Sequence, residues 1–215
     1  MTRSARTRGR RALSALRRLY PKAHCELHFN TPLQLLMATI LSAQCTDKRV
    51  NLVTPELFRR YPDAASLAAA ETGELEALVR PTGFFRAKAK ALRQMASTLA
   101  SEFDGQVPRT MAELLRLRGV ARKTANVVLG TAFGLAEGMV VDTHVKRVSY
   151  RLGLTRQTDP VKIERDLMAL YPPSAWVFLG HALVWHGRRV CKAVKPDCPA
   201  CAMRAFCPRR GVRER

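Results

Sequence analysis

The chain has 215 residues, and 37 lysines and arginines against 17 aspartates and glutamates give it a formal net charge of +20. This length suffices for one or two domains, each with a buried core. No apolar run approaches the ~20 residues that span a bilayer, which excludes an integral membrane protein. The positive charge instead favours a polyanionic partner such as nucleic acid.

The first 25 residues are rich in arginine and precede the first acidic residue, Glu26. Their composition resembles that of an organelle transit peptide. However, Leu13, Leu16 and Leu19 recur at helical spacing, which favours a basic arm that leads into a folded helix. We therefore prefer a cytoplasmic, nucleoid-associated protein to an organelle-targeted one.

Helix start signals recur along the rest of the chain, and strand signals are almost absent. Each start combines a capping side chain with a proline or an apolar periodic segment. The pattern predicts about nine helices and therefore an all-α fold. The clearest predicted starts are Thr31-Pro32, Thr46-Asp47, Asp142-Thr143, Asp159-Pro160 and Pro172-Pro173.

Two of the predicted helices, residues 111–117 and 122–133, are joined by a turn that contains Gly119. Such a turn can direct backbone N–H groups at a phosphate, and the N-terminus of the second helix adds its dipole. An ordinary helix–helix corner is the alternative. Basic neighbours favour phosphate binding; the turn and its flanks comprise Arg118, Gly119, Val120, Ala121, Arg122 and Lys123.

Lys123 and Asp142 are the candidate catalytic pair. Lys123 lies in the first turn of a predicted helix, where the dipole disfavours a protonated amine, and partial burial would leave some neutral nucleophile. Asp142 is a natural helix N-cap, and its carboxylate could face a developing cation. An amine that captures C1′ and a carboxylate that stabilises the sugar cation suffice to cleave a glycosidic bond. The simpler alternatives are a solvated lysine and a structural cap.

Four cysteines near the C-terminus follow the pattern C-x6-C-x2-C-x5-C and could hold a metal centre: Cys191, Cys198, Cys201 and Cys207. Zinc ribbons usually present two C-x2-C pairs and this chain has one, so spacing leaves both zinc and [4Fe–4S] open. The loop carries Lys192 and Lys195, which could contact phosphate. Cys25 and Cys45 stand apart in apolar surroundings and read as buried thiols in a reducing compartment.

Together these motifs resemble the endonuclease III family of helix-hairpin-helix DNA glycosylases with lyase activity. The resemblance runs from LQLLMATILSAQCTD through RGVARKTANVVLGTAFG and VVDTHVKRV to HGRRVC and the four cysteines. It implies that Lys123 and Asp142 are catalytic and that the cysteines bind a [4Fe–4S] cluster. It also implies a two-domain all-α fold. A six-helix domain (26–136) would carry the hairpin at about 111–133, and residues 1–25 would pack with a cluster domain (137–215).

The resemblance further implies a monomer that acts on duplex DNA with oxidised pyrimidines or abasic sites, and that flips the damaged nucleotide out of the helix. Gln44 and Phe84 match the residues that fill the resulting gap, and His144 matches a DNA contact. Alternatively, Gln44 is a helix C-cap and Phe84 a core aromatic. The competing functions are a monofunctional glycosylase of the same superfamily and a non-catalytic DNA-binding protein with a metal scaffold.

Three departures from the family pattern stand out. The hairpin usually reads L-P-G-V-G, whereas this chain has Arg118 and Ala121 in place of the proline and the second glycine. Alanine would resist a positive φ, so we expect altered DNA affinity. Phe84 replaces a common aliphatic residue and could stack on bases. Cys45 lies where a smaller residue is common, and the sequence offers no consequence for it.

Overall fold

The computed structural model describes residues 3–212, and within that range the chain is all-α, without a β-strand. The predicted fold class is therefore confirmed. Eleven α-helices are present among these residues rather than about nine, and two of them are only four or five residues long. None of these helices is long and apolar enough to cross a bilayer.

The helices are α1 (Arg3–Leu19), α2 (Pro32–Leu41), α3 (Asp47–Arg60), α4 (Ala64–Ala68), α5 (Thr72–Val79), α6 (Phe85–Glu102), α7 (Met111–Leu114), α8 (Arg122–Ala132), α9 (Thr143–Arg151), α10 (Pro160–Met168) and α11 (Pro173–Arg189). Two 3₁₀ turns, Arg80–Thr82 and Arg204–Phe206, complete the regular structure of the described residues.

The chain divides into two compact units. The hairpin unit is the continuous segment Cys25–Leu135, and it contains α2 to α8. The cysteine unit combines the segment that ends at His24 with the segment that begins at Ala136, so that α1 belongs with α9 to α11. The hairpin unit is thus inserted, along the sequence, between the two segments of the cysteine unit.

In the hairpin unit, α2 forms the centre and packs against α3, α6 and α8. Eight of its ten residues are buried, from Leu33 through the run Leu35–Leu41. Local capping explains where the first helices begin, because Thr31 accepts a hydrogen bond from the Gln34 N–H at 3.2 Å and Thr46 accepts one from the Arg49 N–H at 3.3 Å. Both predicted starts are confirmed.

In the cysteine unit, α11 is the central helix and packs against α1 and α9. The core includes Leu16, Val148 and Leu183, each at most 1 % exposed. Helix α1 begins at Arg3, so the expectation of a basic arm before the helix is wrong. The reason is that Ala5 and Ala12 extend the buried stripe toward the N-terminus, while the arginines occupy the remaining faces.

Candidate functional site

The turn between α7 and α8 has a buried base and an exposed basic rim. Leu117 and Val120 are only 2 % and 8 % exposed, whereas Arg118 and Gly119 are exposed. Gly119 has φ +82, and a Cβ there would lie 3.1 Å from the Cβ of Ala91. Both its conformation and its packing therefore require glycine. The predicted first hairpin helix ends early, at Leu114, because the chain then enters this turn.

Ala121 is the N-cap of α8 and has extended backbone, with φ −99 and ψ 170. The expectation that alanine would resist a positive φ here is therefore wrong, because this position does not need one. Ala121 is exposed, and its side chain makes no capping hydrogen bond to α8. An incoming anion could accept bonds from first-turn N–H groups that a capping side chain would otherwise engage.

Lys123 is exposed in the first turn of α8, so the expected partial burial is wrong. The helix beyond it is anchored, since residues Ala125 to Gly130 are buried. The amine therefore projects from a rigid base beside the Gly119 turn. Arg122, its neighbour, is half-buried.

Gln44 and Phe84 share an unusual backbone conformation. Their φ values are +50 and +48, in the left-handed region that costs a residue other than glycine about 1–3 kcal/mol. Gln44 is exposed two residues after Ser42, the C-cap of α2, and Phe84 is 65 % exposed at the start of α6. Phe84 is therefore not a core aromatic. Phe85 is half-buried, with the Arg80 guanidinium 5.2 Å from its ring centroid.

Lys88 was not anticipated as a site residue. It lies on α6, is 5 % exposed, and its ammonium donates to the carbonyl oxygens of Leu41 and Thr82, both at 2.8 Å. Burial lowers the pKa of the Lys88 ammonium, and the charge of a Cys45 thiolate would oppose that shift. The helical period could have indicated that Lys88 is buried, because Lys88 lies on the same face of α6 as the buried Leu92, four residues further on.

Asp142 is the N-cap of α9, as predicted, and its Oδ1 accepts a hydrogen bond from the Val145 N–H at 2.8 Å. This bond fixes the orientation of a half-buried carboxylate. His144 follows in the first turn of α9, where burial lowers the pKa of its imidazole and the charge of Asp142 opposes that shift. A Cβ on Gly187 of α11 would lie 2.9 Å from the His144 Cβ, so glycine permits close approach of the two helices.

The four C-terminal cysteines line a single pocket and form no disulfide bond. All four are half-buried, and burial raises the pKa of the Cys201 and Cys207 thiols. Two nitrogen groups approach the sulfurs, with His186 Nε2 at 3.6 Å from Cys201 Sγ and Arg151 Nη1 at 3.5 Å from Cys191 Sγ. Within residues 3–212 no three Cys, His, Asp or Glu side chains are grouped as ligands of one metal ion.

Two arginines of α9, which sequence reasoning missed, hold the loop after Cys191. Arg151 is buried and donates to the carbonyl oxygens of Lys192 at 2.6 Å and Ala193 at 3.0 Å. Arg147 Nε donates to the Cys191 carbonyl at 3.0 Å. Their spacing of four residues on one helix face is the signal that could have found them. Lys192 and Lys195 are exposed on this loop, and Lys195 has φ +49.

The predicted site residues thus fall into two groups. The hairpin unit carries Lys123, Gln44, Phe84 and the Gly119 turn, and the cysteine unit carries Asp142, His144, the four cysteines and the two loop lysines. Cys25 and Cys45 lie in the hairpin unit and form no disulfide bond, but both are half-buried, so the expectation that they are buried is wrong.

Comparison with known proteins shows the family to which the chain belongs. The family model described as "HhH-GPD superfamily base excision DNA repair protein" matches residues 37–173, which is more than half of the chain and includes the Gly119 turn, Lys123 and Asp142. The fold and the hairpin therefore define a base excision DNA repair protein of the helix-hairpin-helix class.

The relatives narrow this class further. The chain is 56 % identical to the endonuclease III of Synechocystis sp. over 205 residues, which cover 95 % of this chain and 94 % of that protein. Two solved structures match with a TM-score of 0.91 and 41 % identity over 95 % of this chain. They are a non-covalent endonuclease III–DNA complex and a trapped covalent endonuclease III–DNA intermediate, covered over 95 % and 96 % of their chains. The chain belongs to the endonuclease III family, and the resemblance found in its sequence is confirmed.

Proposed function

We propose that this chain is a bifunctional DNA glycosylase and AP lyase of base excision repair, with Lys123 as nucleophile. The observation that carries the proposal is the exposed Lys123 amine in the first turn of α8, directly after the rigid Gly119 turn. A helix start that follows such a turn can bind a phosphate, so the amine would act beside the DNA backbone. A solved covalent endonuclease III–DNA intermediate from a 41 % identical chain supports the same chemistry.

The reaction begins when the Lys123 amine attacks C1′ of the damaged nucleotide. The new N–C1′ bond forms as the bond from C1′ to the base breaks, and the base leaves with that electron pair. Positive charge develops on the sugar, and the Asp142 carboxylate stabilises it. Asp142 suits this role because the Val145 N–H already fixes its orientation at 2.8 Å.

The second half of the reaction cleaves the strand. The C1′–O4′ bond of the sugar ring then breaks, the ring oxygen takes a proton from the adduct nitrogen, and C1′ is left joined to Lys123 as an imine. Loss of a C2′ proton then expels the 3′ phosphate by β-elimination, and water hydrolyses the remaining imine to free the enzyme. The imine is the species that borohydride reduces to a stable adduct.

We propose oxidised pyrimidines in duplex DNA as the substrate class and a monomer as the active form. Gln44 and Phe84 would fill the space that the flipped nucleotide leaves, and their exposure supports this role. Unstacking a nucleotide costs a few kcal/mol, which inserted side chains partly recover. The net charge of +20 supports binding to the phosphate backbone.

We propose that the four cysteines hold a [4Fe–4S] cluster. The donor set fits, because four free thiols line one pocket and nitrogen groups of His186 and Arg151 approach two of the sulfurs. When bound, the cluster would cross-link the loop between Cys191 and Cys198. Its role would be to hold Lys192 and Lys195 for phosphate contact. We also propose a reducing, cytoplasmic location, which four cysteine thiols without a disulfide bond fit.

Borohydride trapping tests the proposal directly. The wild-type chain is mixed with duplexes that carry thymine glycol, an abasic site or no damage. We expect a covalent adduct on the first two, loss of both adducts in Lys123→Ala with DNA binding retained, and no loss in the control Lys162→Ala, which removes another exposed lysine.

The outcomes separate the competing functions. An adduct on the abasic duplex alone would retain the lyase and refute the proposed substrate class. Base release from the thymine glycol duplex without an adduct would indicate a monofunctional glycosylase. Binding without either reaction would indicate a non-catalytic DNA-binding protein.

A further inference from the structure

The two residues assigned to the flipped-out gap both depend on neighbours for their conformation. Gln44 and Phe84 have positive φ and exposed side chains, so their own packing does not hold them in the left-handed region. Strained backbone of this kind persists where surrounding structure enforces it, and it is common at ligand-contacting positions. Some other group must therefore maintain both segments.

Lys88 is the group that joins these two segments. Its ammonium donates to the carbonyl of Leu41, three residues before Gln44, and to the carbonyl of Thr82, two residues before Phe84, with both distances 2.8 Å. Its backbone N–H also donates to the Phe84 carbonyl at 3.0 Å. One residue thus contacts the Phe84 segment on both sides of Gly83 and ties it to the end of α2.

A lysine at this buried position is unfavourable for the stability of the fold. Lys88 is 5 % exposed, and the ion pairs among residues 3–212 do not include it. Burial of an ammonium without a carboxylate partner is unfavourable, and an apolar side chain would fill the same volume without that penalty. What an apolar residue lacks is the pair of directed bonds to two separate segments.

We infer that Lys88 is a positioning residue that fixes the spacing of Gln44 and Phe84, so that both side chains enter the duplex together when the damaged nucleotide leaves it. This inference rests on the proposed function, since it assumes that these two residues fill the gap. It assigns Lys88 to nucleotide flipping and not to the bond-breaking steps, which belong to Lys123 and Asp142.

The test compares two reactions of Lys88→Met, which keeps an apolar stem and removes both ammonium bonds. Single-turnover base release from a paired thymine glycol requires full flipping, whereas cleavage of an abasic duplex has no base to extrude. We expect base release to fall at least about tenfold and abasic cleavage to change less than about threefold. Lys90→Met, an exposed lysine of the same helix, is the matched control and should leave both rates unchanged.

A double-mutant cycle separates positioning from general stability. In a Gln44→Ala/Phe84→Ala background, Lys88→Met should lower base release less than about twofold further, because the side chains that it positions are absent. Equal loss in both backgrounds, or equal loss of both reactions, would overturn the inference. If Lys88→Met does not fold, Lys88→Gln enters the same cycle under the same criteria.

Failure of this inference differs from failure of the proposed function. A wild-type chain that neither releases thymine glycol nor cleaves an abasic duplex would refute the function itself. A wild-type chain that does both, together with a fully active Lys88→Met, would refute only the role of Lys88.

Discussion

Replacement of Gly119 by alanine tests whether the hairpin turn is held by packing as well as by backbone conformation. Gly134, just after α8, provides the control because it too has positive φ, +68 against +82 at Gly119. Alanine in the left-handed region costs about 1–2 kcal/mol at either position. The two sites differ in surroundings, since a Cβ at Gly134 meets nothing within 4 Å.

At Gly119 the new methyl would lie 3.1 Å from the Cβ of Ala91 and 3.7 Å from side-chain atoms of Ile40. Ala91 belongs to α6 and Ile40 to α2, the buried central helix, so neither can move freely. Overpacking of a rigid site typically adds about 1–3 kcal/mol. We therefore expect Gly119→Ala to lower the free energy of unfolding by about 2–5 kcal/mol and Gly134→Ala by about 1–2 kcal/mol.

The measurement is urea unfolding followed by the loss of helical circular dichroism, with DNA affinity measured under native conditions. We also expect Gly119→Ala to weaken binding to an abasic duplex, because the turn must shift, and Gly134→Ala to leave it unchanged. Equal destabilisation by the two substitutions would show that the contact with Ala91 is relieved at no cost, and the packing argument would then be wrong.

Three further predictions follow from the described contacts. Asp142→Asn keeps an acceptor for the Val145 N–H, so it should change stability by less than about 1 kcal/mol. It should nevertheless lower the rate of base release, measured by single-turnover kinetics, more than about a hundredfold. An active variant would remove Asp142 from the mechanism. The Tyr171 hydroxyl is buried without a hydrogen-bond partner among the described residues, whereas that of Tyr20 lies 3.1 Å from His186 Nδ1. Tyr171→Phe should therefore stabilise by up to about 1 kcal/mol and Tyr20→Phe should destabilise by about 1–2 kcal/mol, and urea midpoints that moved in the same direction would contradict this contrast. The logarithm of the DNA dissociation constant should rise linearly with the logarithm of salt concentration. Replacement of Lys192 or Lys195 by alanine should reduce that slope by about one. A binding titration series in which the slope stays unchanged would remove that lysine from the phosphate contacts.

Local signals in the sequence were the most informative. Thr31, Thr46 and Asp142 begin helices where their side chains can accept a hydrogen bond from an N–H three residues later, and this depends only on neighbouring residues. The family resemblance was equally readable, because its motifs are short and ordered along the chain. The structure then adds the backbone geometry of Gln44 and Phe84, which composition does not encode.

Features that depend on distant segments could not be read in this way. The helical period places Lys88 on the face of the buried Leu92, but the approach of Leu41 and Thr82 is what shows that its ammonium is a buried donor. The backbone of Ala121 follows from the point at which α8 begins, so the motif alone suggested a strain that the structure does not contain. The apolar stripe of α1 is hard to recognise in the sequence, because it consists largely of small alanines among many arginines.

The interrupted cysteine unit has a consequence for the order of events during synthesis on the ribosome. Helix α1 is made before the hairpin unit, but its partner α11 does not begin until Pro173. At ~5–20 residues per second, that interval lasts on the order of 10 s. The hairpin unit is complete at Leu135 and can fold during this time, while the apolar stripe of α1 has no partner. The apolar stripe of α1 therefore stays without this packing partner until α11 has been synthesised.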